Sequence, residues 1–247
     1  CGVSCLEHHL RAVKKLKNIH FTVVNGENAA MVGLTPNDAE RIFSAGADVI
    51  TLGNHTFGKM QITDYLDDSP YILRPHNLGA RVPGRGYGVF DCGRARIAVM
   101  NLIGRCDLAF HADNPFKTAD ELLKSGEKPT FTLLDFHAEA TSEKLAMGYY
   151  LDGRVSAVWG THTHVQTADE RVNPKGTGYI TDLGMTGPYH SVLGVRIEQS
   201  IAMFRGDLTE YFKTAPGDCA VSGAVFEIER GGKCVSVERV WKEYKVR

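Results

Sequence analysis

The chain has 247 residues, 43% of them hydrophobic, with 28 Lys and Arg against 29 Asp and Glu and a net charge of -1. That length supports one large domain with a substantial core. The balanced charge has no basic run, which argues against a dedicated DNA-coating role, and no stretch approaches the ~20 apolar residues that a membrane span needs.

In chain order, Leu6 to Leu16 reads as a helix and Ile19 to Asn25 as a buried strand. Thr35-Pro36-Asn37-Asp38 starts a helix with Pro at its first position, and Gly46 closes it. Val49 to Leu52 is a second strand and Met60 to Leu66 a short helix. Tyr87 to Phe90 and Arg96 to Leu102 pair around Asp91-Cys92-Gly93-Arg94. Thr130 to Asp135, Val155 to Trp159 and Gly178 to Asp182 are further strands, while Ser142 to Tyr150 and Arg196 to Phe204 are helices. Cys219 to Glu229 and Lys233 to Tyr244 alternate around Arg230-Gly231-Gly232 as a hairpin. With no repeats or low-complexity linkers, residues 1–247 read as a single α/β domain, a mixed sandwich with antiparallel strands late in the chain.

Four of the strands end in side chains of the metal-ligand type. They run into Asn25-Gly26-Glu27-Asn28, Gly53-Asn54-His55, Asp135-Phe136-His137 and Gly160-Thr161-His162-Thr163-His164. In open α/β sheets, strand carboxyl ends converge on a shared crevice. Carboxylate, carboxamide and imidazole together suit a hard-to-borderline divalent cation.

These segments, with His137-Ala138-Glu139-Ala140-Thr141-Ser142-Glu143-Lys144, Gly160 to Thr167 and Ile180 to Pro188, resemble the YmdB-type branch of the calcineurin-like metallophosphoesterases. The likeness covers essentially the whole chain, and the HAEATSEK and GTHTHVQTAD stretches are its most specific parts. It implies a metallophosphoesterase-type mixed β-sandwich flanked by helices. It also implies a bacterial cytoplasmic phosphodiesterase with two transition metals, Fe or Mn, acting on 2′,3′-cyclic nucleotides. Carried over by position, Glu27 is the carboxylate bridging both metals, Asn28 and His164 bind the first, and Asn54, His137 and His162 bind the second. His55 is the non-ligand histidine that protonates the leaving oxygen. The family's Gly-Asp-Val-Val-Gly segment, whose Asp binds the first metal, has no counterpart here. The expectation is a preceding strand that has been trimmed.

Those residue types suit the chemistry. A phosphodiester is anionic and slow to hydrolyse, and two cations ~3.5–4 Å apart clamp its oxygens and acidify water. A bridging carboxylate partly neutralises so dense a positive site, while a neutral Asn oxygen keeps net positive charge for phosphate. Imidazoles favour transition metals over Mg²⁺. His55, beside Asn54, stands where a leaving ribose oxygen would emerge, as a general acid must.

Each residue also has a plainer reading. Glu27 and Asn28 could be turn chemistry, and His137 a satisfied structural histidine. Asp135 is expected to orient a neighbouring ligand, and Glu139, Thr141 and Glu143 to cap a helix. His8, His9, His20, His76, His111 and His190 are read as structural, although His190 lies in the Gly184 to Gly194 loop, a candidate substrate wall. The six cysteines contain no CxxC pair and read as reduced thiols of a cytoplasmic protein. The expected partner is a small phosphodiester, with homo-oligomerisation left open. Two rival functions stand beside it. One is another metal hydrolase such as a nucleotidase, and the other a regulatory or RNA-contacting protein with a vestigial site.

Overall fold

The computed structural model describes residues 1–108, 111–124, 128–208 and 210–245. Its elements follow the chain as α1 (Gly2–Leu16), β1 (Val23–Asn25), α2 (Pro36–Ala45), β2 (Val49–Thr51), α3 (Ile62–Asp68) and β3 (Ile72–Leu73). A hairpin of β4 (Tyr87–Asp91) and β5 (Arg96–Ile103) comes next, then α4 (Pro115–Leu123), β6 (Phe131–His137), α5 (Thr141–Tyr150) and β7 (Ala157–Thr161). The last third holds β8 (Arg171–Val172), β9 (Gly178–Ile180), β10 (Gly187–Pro188), α6 (Ile197–Phe204) and the long hairpin β11 (Cys219–Ile228) and β12 (Cys234–Tyr244).

The strands form three sheets, ordered β1-β2-β3, β4-β5-β6-β7-β9-β8 and β10-β11-β12. The first is parallel throughout, and β5, β6, β7 and β9 are parallel within the second. Their carboxyl ends therefore lie side by side, with Asn25 opposite Thr51 and His137 opposite Thr161.

Strand alternation divides each face. Ile97 and Val99 of β5, Leu133 of β6, and Ala157 and Trp159 of β7 point one way. They pack with Val23, Val49 and Leu73 of the first sheet and with Phe226 of β11, forming the apolar middle of a sandwich. Met100, Leu102, Leu134, Phe136 and Val158 point the other way and build a second core with Ala119 of α4 and Met147 of α5. Helices α2 and α3 cover the outer face of the first sheet through Ala39, Ile42, Ile62 and Leu66. This helix–sheet–sheet–helix layering is the mixed α/β sandwich expected.

The helix limits have local causes. Pro36 opens α2 behind Thr35, whose side chain accepts the Asp38 N–H, and Gly46 closes it with φ 116°. Asn114 caps α4 in the same way, accepting from the Phe116 and Lys117 N–H groups. The capping role expected of Glu139, Thr141 and Glu143 is not found. The cap of α5 falls at Ala140 without a side-chain bond, and Glu143 instead accepts from the Arg105 and Cys106 N–H groups. The first strand is also shorter than expected, since Ile19 to Thr22 lies outside the sheet ladder.

Candidate metal centre

At the carboxyl ends of the parallel strands the inner face of the sandwich changes from apolar to polar. On β5 the next inward residue after Val99 is Asn101, on β6 Leu133 is followed by Asp135 and His137, and on β7 Trp159 is followed by Thr161. All four polar side chains are buried. Asn25 and Thr51 face them from the first sheet through Asp135, the shared acceptor.

Asp135 fixes the tautomer of His137. Thr51 Oγ1 donates to Asp135 Oδ2 at 2.5 Å and Thr161 Oγ1 to Asp135 Oδ1 at 2.8 Å. The Thr161 hydroxyl hydrogen is thereby committed, so at 3.0 Å its oxygen accepts the Nδ1–H of His137. The ring's lone pair is then on Nε2, the arrangement that prepares a histidine to be a ligand. Gly53 makes room for this ring, because a Cβ there would collide with it.

Three other groups close on that single nitrogen. Asn54 Oδ1 is 2.8 Å from His137 Nε2, Glu27 Oε2 3.1 Å and His162 Nδ1 3.1 Å. One nitrogen offers a single lone pair or a single hydrogen, so it cannot satisfy two oxygens and another ring nitrogen. Glu27 is 2% exposed, and burial pushes its carboxyl up to about 8, against the pull of the His55 N–H that donates to Oε1 at 2.7 Å. Burial raises Asp135 to about 6, and burial lowers His137, His162 and His164. Desolvation thus keeps the imidazoles neutral and makes the Glu27 carboxylate costly unless a cation compensates it.

His164 lies beside this group. Its Nε2 is 3.1 Å from Asn28 Nδ2, and its Nδ1 is buried without a partner. His55 follows Asn54, whose amide is 3.3 Å from His55 Nε2. The structure therefore brings together Glu27, Asn54, His55, His137 and His162 in one group and Asn28 with His164 next to it. Among the described residues, no three His, Cys, Asp or Glu side chains already form a ready metal cage; the donors rest against one another. Their chemistry still fits a cation. An excess of acceptors over hydrogens, a raised carboxyl and an orphaned imidazole nitrogen are all relieved by positive charge.

A family profile described as YmdB-like protein matches residues 1–240. The chain belongs to the YmdB-like family. Over 242 residues it is 47% identical to a Bacillus subtilis (strain 168) protein named 2′,3′-cyclic-nucleotide 2′-phosphodiesterase, covering 97% of this chain and 91% of that one. A crystal structure from Mycoplasma pneumoniae, described as a novel phosphatase, matches with a TM-score of 0.91 at 34% identity, over 99% of this chain and 89% of the other. A Staphylococcus aureus structure provisionally described as a 5′-nucleotidase matches at 16% identity and TM-score 0.56, over 98% of this chain and 48% of that one. That distant likeness speaks to the fold alone.

Sequence reasoning on this family member missed one contact at the site itself. Glu139, half-exposed, places Oε2 3.0 Å from His162 Nε2, so both nitrogens of that ring are engaged. The only hint was its position two residues after His137. Of the histidines set aside as structural, His76 buries Nδ1 without a hydrogen-bond partner, while two others have ordinary ones. His8 bonds Ser4 O and His9 stacks on Tyr244.

Proposed function

We propose that this chain is a metal-dependent phosphodiesterase acting on small phosphodiesters, foremost 2′,3′-cyclic nucleotides. The observation that carries the reading is the convergence of Glu27, Asn54 and His162 on the unprotonated nitrogen of His137. The activity named for the Bacillus subtilis relative supports the substrate class.

In this reading Glu27 would serve both of two cations, Asn28 and His164 would contribute to the first site, and Asn54, His137 and His162 would hold the second. Fe or Mn suits the imidazole-rich set. Bound there, the cations would supply charge to the phosphoryl oxygens and lower the pKa of water. The protein's own contribution is position. The Asp135–Thr161–His137 chain holds one ligand ring in a single tautomer. Glu139 steadies the far side of His162. His55 is tied to the centre through its backbone N–H on Glu27, and the residue is half-buried. That placement suits a group that hands a proton to the departing ribose oxygen, as general acids do.

The test is metal analysis of protein reconstituted with Mn²⁺ or Fe²⁺, followed by assay against 2′,3′-cyclic, 3′,5′-cyclic and linear diesters and phosphomonoesters. The expected result is about two metals per chain, as a two-metal centre requires, with fastest turnover of the 2′,3′-cyclic diesters. Fewer than one metal per chain after reconstitution would defeat the metal reading, and equal rates across the panel the substrate preference. Glu27→Ala and His162→Ala should lose metal.

A further inference from the structure

Lys144 and Asp182 form an ion pair that the proposed chemistry does not use. Both side chains are 1% exposed, and Nζ lies 2.7 Å from Oδ2. Removing two charges from water costs so much that such a pair is weak as a source of stability. Its partners indicate another use.

Asp182 is saturated with donors. Oδ2 accepts the Thr163 N–H at 3.0 Å as well as the Lys144 ammonium, and Oδ1 accepts the Gly184 N–H at 2.9 Å. Its own N–H donates to Thr167 Oγ1 at 2.9 Å, and its carbonyl accepts the Thr167 N–H at 3.1 Å. Thr163 is the residue between His162 and His164. Those two carry φ values of 106° and 65°, on the positive side that side chains other than glycine seldom adopt. Strained backbone of this kind persists only where its surroundings over-determine it. Lys144 reaches Asp182 from α5 past Gly160, where a Cβ would press on both the Lys144 stem and the Thr181 carbonyl.

We infer that Lys144 and Asp182 are positioning residues, whose buried pair clamps the Thr163 N–H and so sets the strained turn that presents His162 and His164 to the divalent cation. The inference rests on the proposed metal centre. It adds that two histidines on one short turn are aimed by an acid just beyond β9 and a lysine on α5, neither of which touches the cation.

The experiment compares the full chain with Lys144→Met, Asp182→Asn and the double variant, reading thermal midpoint, Mn²⁺ affinity by calorimetry and the visible spectrum of Co²⁺-loaded protein. Lys144→Met strands a buried carboxylate and should lower the midpoint. The double variant removes both charges and should recover most of that loss. The carboxamide that Asp182→Asn introduces has one acceptor oxygen and cannot serve both Thr163 and Gly184. The double variant should therefore stay roughly 10- to 100-fold weaker for Mn²⁺, the usual cost of losing an outer support, with an altered Co²⁺ spectrum. A double variant that binds Mn²⁺ as the wild type does would overturn the inference. Amide exchange of Thr163 in metal-free wild-type protein tests it without any substitution. Slow exchange is expected, and exchange as fast as in an open loop would also overturn it. Failure of the wild type to bind Mn²⁺ would count against the metal centre alone, leaving the Thr163 measurement to decide the clamp.

Discussion

The middle of the sandwich and its carboxyl-terminal rim are built from the same strands and the same inward face, yet they obey different rules. Leu133 lies in the middle and Asp135 one inward step further along β6; Trp159 and Thr161 stand in the same relation on β7. The middle is stabilised by removing apolar surface from water, which any side chain of suitable shape can do. The rim buries Asn101, Asp135, His137 and Glu27 as deeply. Each of those must find partners or remain at high cost. Asp135 and the Asn101 amide nitrogen find them within the protein, whereas Asn101 Oδ1 has none and Glu27 with the Nε2 side of His137 is not fully satisfied. A step of two residues thus separates groups satisfied by packing from groups whose cost of burial depends on finding polar partners.

Substitutions on the two sides should differ in kind. The largest effect is expected for His55→Ala, with turnover falling about 10²–10⁴-fold, the usual worth of a general acid. Metal content should be retained and the loss should shrink for substrates with acidic leaving groups. Metal analysis beside the assay checks this, and metal lost along with activity would make His55 a ligand instead. Next comes Leu133→Ala in the middle, which should cost about 2–5 kcal/mol by denaturant titration. The folded fraction should bind Mn²⁺ with wild-type affinity; a weakened site would mean that the middle and rim are not separable. Asp135→Ala, one step along, should weaken Mn²⁺ about 10- to 100-fold by freeing the Thr161–His137 arrangement. Unchanged affinity in calorimetry would remove Asp135 from that supporting role.

The smallest effect concerns protons. The Glu27 carboxyl is raised from 4.5 to about 8. A raised carboxyl favours the metal-free fold fully below its unfolded pKa, and that contribution is lost as pH rises through the folded value. Glu27→Gln does not titrate. In chelator, its melting temperature should therefore gain on the wild type as pH rises from 6 to about 9. With metal bound the trend should vanish. A constant difference across that range would show that Glu27 is not strained by burial.

Much of the rim was legible because its signals are local. Apolar runs ending in Asn-Gly-Glu-Asn, Gly-Asn-His or Thr-His-Thr-His mark strand ends without knowledge of their neighbours. Pro36 and Gly46 bound a helix by their own backbone preferences. The two-residue strands β3, β8 and β10 escaped because so short a stretch has no period to read, and α4 because its apolar face spans only about two turns. The pairings Glu139 with His162 and Lys144 with Asp182 escaped for a different reason. Glu139 and Lys144 flank the start of α5, where the acid reads as a helix cap and the lysine carries no local signal; only the folded chain brings each to its partner.

The sequence by itself determined the alternation of strands and helices, the apolar inward positions and the donor types at the strand ends, because each follows from side-chain chemistry and short-range periodicity. Only the tertiary structure decided that β6 and β7 lie in parallel register with Thr161 opposite His137. It also decided that Glu27 and Asn54 reach the same imidazole, and that the turn at Thr163 hangs from Asp182. Those outcomes depend on which chain segments share a buried volume. There hydrogen-bond partners and desolvation, rather than local preference, set the energy of each polar group.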